Sequence, residues 1–423
     1  MLFCANGRAD SLMLEGRVVD PAQAIDEALR ITVEHGVITS LEPGAPGALV
    51  IAPAFVDPHV HLRTPGREDE ETIASGTAAA GAGGYCAILA MPNTDPVVDS
   101  AAVLGSLVER AKDEAVVPTG FLAAISKGQR GEELTEMAEL AEAGAAGFSD
   151  DGRPVTEPGL MRRALQYAGV ARRRLALHEE EPTLSRDGQM HEGTVSAELG
   201  LAGWPSVAES AMVERDVALA AYEQQGLHIM HVSALESAHA IRTAQARGVA
   251  VSAEVTPHHL CLTDDVVRTL DANTKMNPPL RSAEHRAALV EALRDGVIGC
   301  IATDHAPHAR HEKEAPFEEA PFGVTGLETA FAALHTHLVV PGLVSLQTLL
   351  QRMSAGPAQV FGLPVPRIAV GERANLVALD LDTEWTVTED GFHSRSANSW
   401  LLGARLRGRV ARTVADGRVV YEA

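Results

Sequence analysis

The stretch PAFVDPHVHLR, Pro53 to Arg63, holds two imidazoles one residue apart, His59 and His61. If Ala54 to Leu62 runs as a β-strand, side chains two apart project from one face, and both rings reach one cation from a rigid strand end. Its flanks suit a buried strand, because Phe55, Val56, Val60 and Leu62 are apolar while Pro53 and Pro58 punctuate it. Arg63 adds a planar positive fork beside that cation, suited to a carboxylate. An HxH pair alone is weak evidence, since two histidines at the end of a core strand read the same way. The rest of the chain has to decide.

Outward from this strand, Ala-rich helical patterns alternate with short apolar runs. The helical stretches are Thr72 to Ala82, Ala101 to Asp113, Gly131 to Glu142, Pro158 to Gly169, Val207 to Gln224, Ser237 to Arg247 and Ala283 to Asp295. Between them lie Cys86 to Met91, Gly120 to Ile125, Gly147 to Ser149, Leu175 to His178, His228 to His231, Val249 to Val255 and Val297 to Asp304. Short buried strands alternating with helices mean parallel βα units. About eight such units predict an α/β fold of the (β/α)8, TIM-like barrel type, with a doubly wound sheet as the other arrangement of the same pattern.

Both chain ends read differently. Ala28 to Val33, His35-Gly36 and Val37 to Leu41 give a hairpin pattern. Ala374 to Leu381, and Gly408 to Tyr421, alternate in the same manner. These features predict a barrel over residues 53–362 and a small β-sandwich subdomain assembled from residues 1–52 and 363–423.

Of the 423 residues, 46% are hydrophobic and 22% charged, the balance of a folded chain with a large core. A net charge of −22 argues against general nucleic-acid binding, which needs a basic patch. It leaves room for a small anionic substrate, since a cation or arginine sets the field inside a pocket. Cys4, Cys86, Cys261 and Cys300 are scattered without CxxC spacing, as expected of free thiols in a reducing cytoplasm. No apolar run of the roughly 18 residues that span a bilayer occurs, and no secretory signal opens the chain. A cytoplasmic location is expected.

The polar residues fall in a pattern. His61, Asn93, Asp151, His178, His231 and Asp304 each stand at or just after the C-terminal end of a predicted strand. In a barrel those ends converge on one mouth. His59, His61, His178 and His231 supply nitrogen, and Asp151 and Asp304 supply oxygen, a mixture that suits zinc. Six ligands exceed one open tetrahedral site and point to two metals roughly 3.5–4 Å apart, bridged by a carboxylate or a hydroxide. A metal-held water then serves as nucleophile, and Asp304 can take its proton and return it to a leaving nitrogen.

The motifs PAFVDPHVHLRTPG, MPNTDP, GFSDDGRPV, KMNPPLR, ATDHAPH and PFGVTGLET, from Pro53 to Thr329, resemble those of bacterial type I dihydroorotases of the amidohydrolase superfamily. The β-rich ends match that family's layout too. The family interconverts N-carbamoyl-L-aspartate and L-dihydroorotate. The resemblance implies that His59 and His61 ligate one zinc, His178 and His231 the other, and that Asp151 and a hydroxide bridge them. It implies that Asp304 is both ligand and general acid/base. Arg63 becomes the clamp on the substrate carboxylate, and His61, Asn93, Asn277, His308, Phe322 and Gly323 also meet the substrate. A homodimer and an association with aspartate carbamoyltransferase are further implied. One departure is Ala54, where the family usually has glycine.

His308 to Gly323 is polar, charged and proline-containing, and reads as a loop over the mouth that acts as a lid. His258, His259 and His305 are expected beside the ligands rather than among them. His35, His191, His228, His239, His285, His311, His335, His337 and His393 are expected to stand apart from the site. The nearest rival is another cyclic amidohydrolase (hydantoinase, dihydropyrimidinase or allantoinase), in which a carboxylated lysine bridges the metals. Here Ser149-Asp150-Asp151 occupies that region and the nearest upstream lysine is Lys127. A metal-free scaffold partner of aspartate carbamoyltransferase is the second rival, opposed by the complete ligand set.

Overall fold

The structure is a computed structural model describing residues 1–423. The chain opens with β1 (Leu12–Asp20), β2 (Ile25–Glu34), β3 (Val37–Pro43) and β4 (Leu49–Pro53). β1 to β3 form an antiparallel meander, and β4 runs parallel to β1. After one residue, Ala54, the backbone continues into a second sheet as β5 (Phe55–Val60).

That sheet is the barrel. β5, β6 (Tyr85–Ala90), β7 (Thr119–Ala123), β8 (Gly147–Phe148) and β9 (Arg174–Leu177) pair in parallel in chain order. A short parallel pair, β10 (Met190–His191) and β11 (Gly203–Trp204), interrupts the series. β12 (Leu227–Ile229), β13 (Val251–Val255) and β14 (Cys300–Ile301) then complete eight strands. A parallel bridge between Val60 and His305 brings the first strand against the last, and the His61 N–H donates to the His305 carbonyl at 2.8 Å. Every residue of β5 and β6 is buried, as strands covered on both faces require.

β15 (Leu376–Thr386), β16 (Arg405–Ala415) and β17 (Arg418–Glu422) return to the first sheet, where β15 pairs antiparallel with β4. The strand order is β17-β16-β15-β4-β1-β2-β3, so both chain ends build one seven-stranded sheet. Its β2–β3 turn curls back to bridge Val37 with Arg373, enclosing Val18, Ile31, Ile51, Leu376 and Val414 in a core of their own.

The helices follow their expected spans with one exception. Gly131 to Glu142 is helical only from Met137, in the helix Met137–Ala143. Gly128 and Gly131 take φ of +61° and +67°, and left-handed glycines cannot extend a right-handed helix. The last barrel strand, Cys300–Ile301, is also shorter than Val297 to Asp304.

Candidate active site

His59 lies within β5, and His61 sits one residue beyond its end, where the ladder with β6 has already slipped. Asn93 follows β6, Asp151 follows β8, His178 directly follows β9, His231 follows β12 and Asp304 follows β14. All seven therefore meet at one mouth, as their chain positions imply. Three of the gathered residues hold left-handed backbones that β-carbons disfavour: Arg63 at φ +55°, His231 at +31° and Asp304 at +48°.

Asp151 is the pivot. Its Oδ1 lies 3.8 Å from His59 Nε2 and 3.6 Å from both His178 Nδ1 and His231 Nε2, while Oδ2 lies 3.5 Å from His61 Nε2. Two donor trios result, His59-His61-Asp151 and Asp151-His178-His231, each with its ligand atoms within 4.8 Å of one another. Asp304 Oδ1 stands 3.1 Å from His61 Nε2 and 3.4 Å from His59 Nε2.

These donors fit divalent cations on two counts. His59 Nε2 is buried without a hydrogen-bond partner, an arrangement costly unless something electropositive faces it. His178 Nδ1 and His231 Nε2 converge to 3.0 Å. Three of the four imidazoles also have their outer nitrogen occupied, which fixes the inward one. His59 Nδ1 lies 2.8 Å from Glu254 Oε1, His61 Nδ1 2.9 Å from Asn93 Oδ1 and His178 Nε2 3.0 Å from Glu180 Oε2.

Electrostatics agree. Burial alone would raise Asp151 and Asp304, but His59 and its neighbouring imidazoles hold both well below the usual carboxylate range. Glu254 is likewise buried, yet His228 and His59 draw it down to about 2. Asp57, by contrast, is pushed up to about 7 by burial, although the Thr303 hydroxyl and backbone N–H groups donate to it. It staples β5 to the end of β14.

The mouth opens on a cavity of about 170 Å³ lined by His61, Arg63, Asn93, Asp151, His178, His231, Asn277, Asp304, His308, Phe322 and Gly323, together with Gly152 and Ala306. Every expected site residue except His59 borders it, and His59 lies one layer beneath. Arg63 is held through Nε by Glu70 Oε2 at 3.0 Å and the Pro307 carbonyl at 3.0 Å. Asn93 donates from Nδ2 to Asp151 Oδ2 at 3.0 Å and so spans two ligand residues. Asn277 Oδ1 is buried and unpartnered. His308 Nε2 donates to the Phe322 carbonyl at 2.7 Å, and burial with the nearby Arg63 and Lys313 cations lowers the imidazole to about 3.

Similar proteins add a separate line of evidence. The family model described as Dihydro-orotase-like matches residues 48–237, and that of the Amidohydrolase family matches residues 206–421. A dihydroorotase of Geobacter metallireducens is 45% identical over 97% of this chain and 99% of its own. The chain belongs to the dihydroorotase family. A second dihydroorotase, from Anaeromyxobacter dehalogenans, is also 45% identical, covering 98% of each chain. Among solved structures, the L-hydantoinase of Arthrobacter aurescens superposes with a TM-score of 0.86 at 25% identity, over 96% of this chain and 94% of that one. The dihydropyrimidinase of Brevibacillus agri, at 21% identity and TM-score 0.83 over 97% and 95%, shares the fold.

The residue common to the two donor trios is an aspartate, Asp151. Lys127 lies at the surface with Nζ 2.5 Å from Glu133 Oε1 and takes no part in the mouth. One expectation needs correcting: His228, read as standing apart, is fully buried with Nε2 2.9 Å from Glu254 Oε2. It belongs to the chain of groups that aims His59. Glu70, Glu180 and Glu254 were missed altogether. The signal for Glu254 was present, an acidic residue inside the apolar strand VSAEV. His305 pairs with Glu71 at 3.1 Å, outside the ligand cluster.

Proposed function

We propose that this chain interconverts N-carbamoyl-L-aspartate and L-dihydroorotate, closing the ring with loss of water, as a zinc-dependent dihydroorotase of pyrimidine biosynthesis. The observation that carries the reading is one small cavity with a guanidinium, Arg63, on its wall and a carboxylate, Asp151, shared by two imidazole groups. Two zinc ions held by His59, His61, Asp151, His178, His231 and Asp304 would supply Lewis-acid polarisation of a carbonyl and activation of a water. The protein's own groups do the rest. Arg63, held through Nε by Glu70 and the Pro307 carbonyl and with Nη2 3.4 Å from His308 Nε2, offers its Nη groups to the substrate carboxylate. Asn277 offers an unpartnered carbonyl oxygen to ureido or ring N–H groups. In the hydrolytic direction Asp304 takes the proton of the attacking water and delivers it to the ring nitrogen as the C–N bond breaks. In cyclisation Asp304 removes a proton from the ureido nitrogen as that nitrogen attacks the side-chain carboxyl carbon, and returns it to the carboxyl oxygen that leaves as water when the C–O bond breaks.

No helix is long and apolar enough to cross a membrane. The unpaired, buried thiols of Cys86, Cys261 and Cys300 support a cytoplasmic home. A homodimer, and association with aspartate carbamoyltransferase, are the assemblies that the family likeness supports.

The test is turnover of L-dihydroorotate by the zinc-loaded protein against dihydrouracil, which lacks the carboxylate. We expect strong preference for dihydroorotate, a kcat loss of about 10²–10⁴-fold in Asp304→Ala, and a raised KM in Arg63→Ala. Equal turnover of dihydrouracil would make Arg63 the wrong clamp and favour a hydantoinase. No turnover of either with metal bound would favour the scaffold reading.

A further inference from the structure

The other end of the barrel, away from the mouth, has a much larger cavity of about 870 Å³. Its floor is Leu2, Phe361 and Leu363, which pack against the apolar cluster filling the barrel interior. Its wall carries Arg172, Arg173 and Arg174, which join the helix Pro158–Ala171 to β9. No aspartate or glutamate lines it, although the chain holds 57 such residues against 35 lysines and arginines.

Two of the three guanidiniums, Arg173 and Arg174, have only backbone partners, and Arg172 has none. Arg173 Nε donates to the Ala145 carbonyl at 2.8 Å and Nη1 to the Arg172 carbonyl at 3.2 Å, while Arg174 Nη1 reaches the Ala250 carbonyl at 3.4 Å. Their other donors remain for a ligand. A cation at a helix C-terminus explains Arg172 by itself. It does not explain two more arginines turned into the same hollow, one of them, Arg174, with its charged form disfavoured by burial. Gly226 is part of the arrangement, since a β-carbon there would run into Arg174 Nη1.

We propose that this cavity binds a small molecule bearing two or more linked phosphates. Three planar forks of five donors each match several phosphoryl groups better than one carboxylate. The volume lies in the range of about 300–1,000 Å³ typical of small-molecule sites. The half-buried Phe361 ring and the Gln225 and Gln359 amides would meet whatever organic group the phosphates carry.

Calorimetric titration of the zinc-loaded enzyme with tripolyphosphate, ATP and UTP as magnesium complexes tests this, with adenosine as the uncharged control. We expect saturable binding that weakens with salt, and dissociation constants raised roughly tenfold or more by Arg172→Glu and several-fold by Gly226→Ala, which keeps the charge and moves Arg174. Arg172 is exposed, and dihydroorotate turnover by Arg172→Glu should match the unaltered enzyme. Equal affinity for tripolyphosphate and the nucleotides would assign the ligand to its phosphate chain, and tighter nucleotide binding would assign it to a nucleotide. Absence of saturable binding by all three, or binding indifferent to both substitutions, would overturn the proposal.

Discussion

Glu254 serves two histidines with one carboxylate, Oε1 toward His59 and Oε2 toward His228. Both contacts vanish as charged hydrogen bonds if the oxygens are made unequal. Glu254→Gln should therefore lower zinc affinity about 10–100-fold, read as metal retained against a graded chelator, with the fold intact by circular dichroism. Unchanged retention would mean that packing alone aims His59. The convergence of the candidate ligands was legible because each is a polar side chain at the end of an apolar run, the one place in a barrel where such residues meet. Glu254, Glu180 and Glu70 were not, because a carboxylate that orients a ligand is recognisable only when its partner is in view. His228 was misread for the same reason: its partner is 26 residues away in the chain and 2.9 Å away in space.

Among elements, the segment from His308 to Gly323 contains one short helix, Arg310–Lys313, and is tied down by two lysines. Lys275 Nζ donates to the carbonyls of Phe317, Glu318 and Ala320 at 2.7, 3.0 and 2.8 Å, and Lys313 Nζ to those of Pro321 and Gly323, both at 2.9 Å. Lys275→Met should loosen the segment, with several-fold faster protease cutting inside it and a raised KM for dihydroorotate; cutting at the original rate would show that Lys313 suffices. The pair β10–β11 gives a pH prediction. His191 accepts on Nδ1 from Arg281 at 3.3 Å, and burial, then Arg281 and the nearby His285, lower its imidazole to about 4. The unfolded chain takes up this proton near the ordinary histidine value and the folded chain does not, so stability is lost as pH falls from about 6.5 to 4. His191→Gln should lose on the order of 2 kcal/mol less than the unaltered protein across that window, measured by urea unfolding. Neither device was visible in advance: the backbone carbonyls that the lysines bind leave no mark in a sequence, and β10 and β11 are two residues each.

For the whole molecule, the eight-unit period announced the barrel, and alternation at both ends announced a joint sheet. β1 and β4 escaped notice, since five residues of LVIAP carry no alternation. Because the six candidate ligands come from five different barrel strands, a metal held by them would act as a cross-brace. Stripping zinc with a chelator should lower the melting temperature by several degrees, and re-addition should restore it; an unchanged transition would confine any metal to a loosely held site.

Ala54 alone separates β4 from β5, and it is completely buried, with its N–H donated to Asn375 and its carbonyl accepting from the Ser354 hydroxyl. The outer sheet and the strand of His59 are thus one mechanical member, clamped at its joint by segments from far down the chain. Heat or denaturant that peels β15 from β4 would pull on the candidate ligand His59 before the helical layer gives way. Zinc release, followed with a colour-forming chelator, becomes an early gauge of damage at the chain ends, on the side of the molecule where no chemistry takes place.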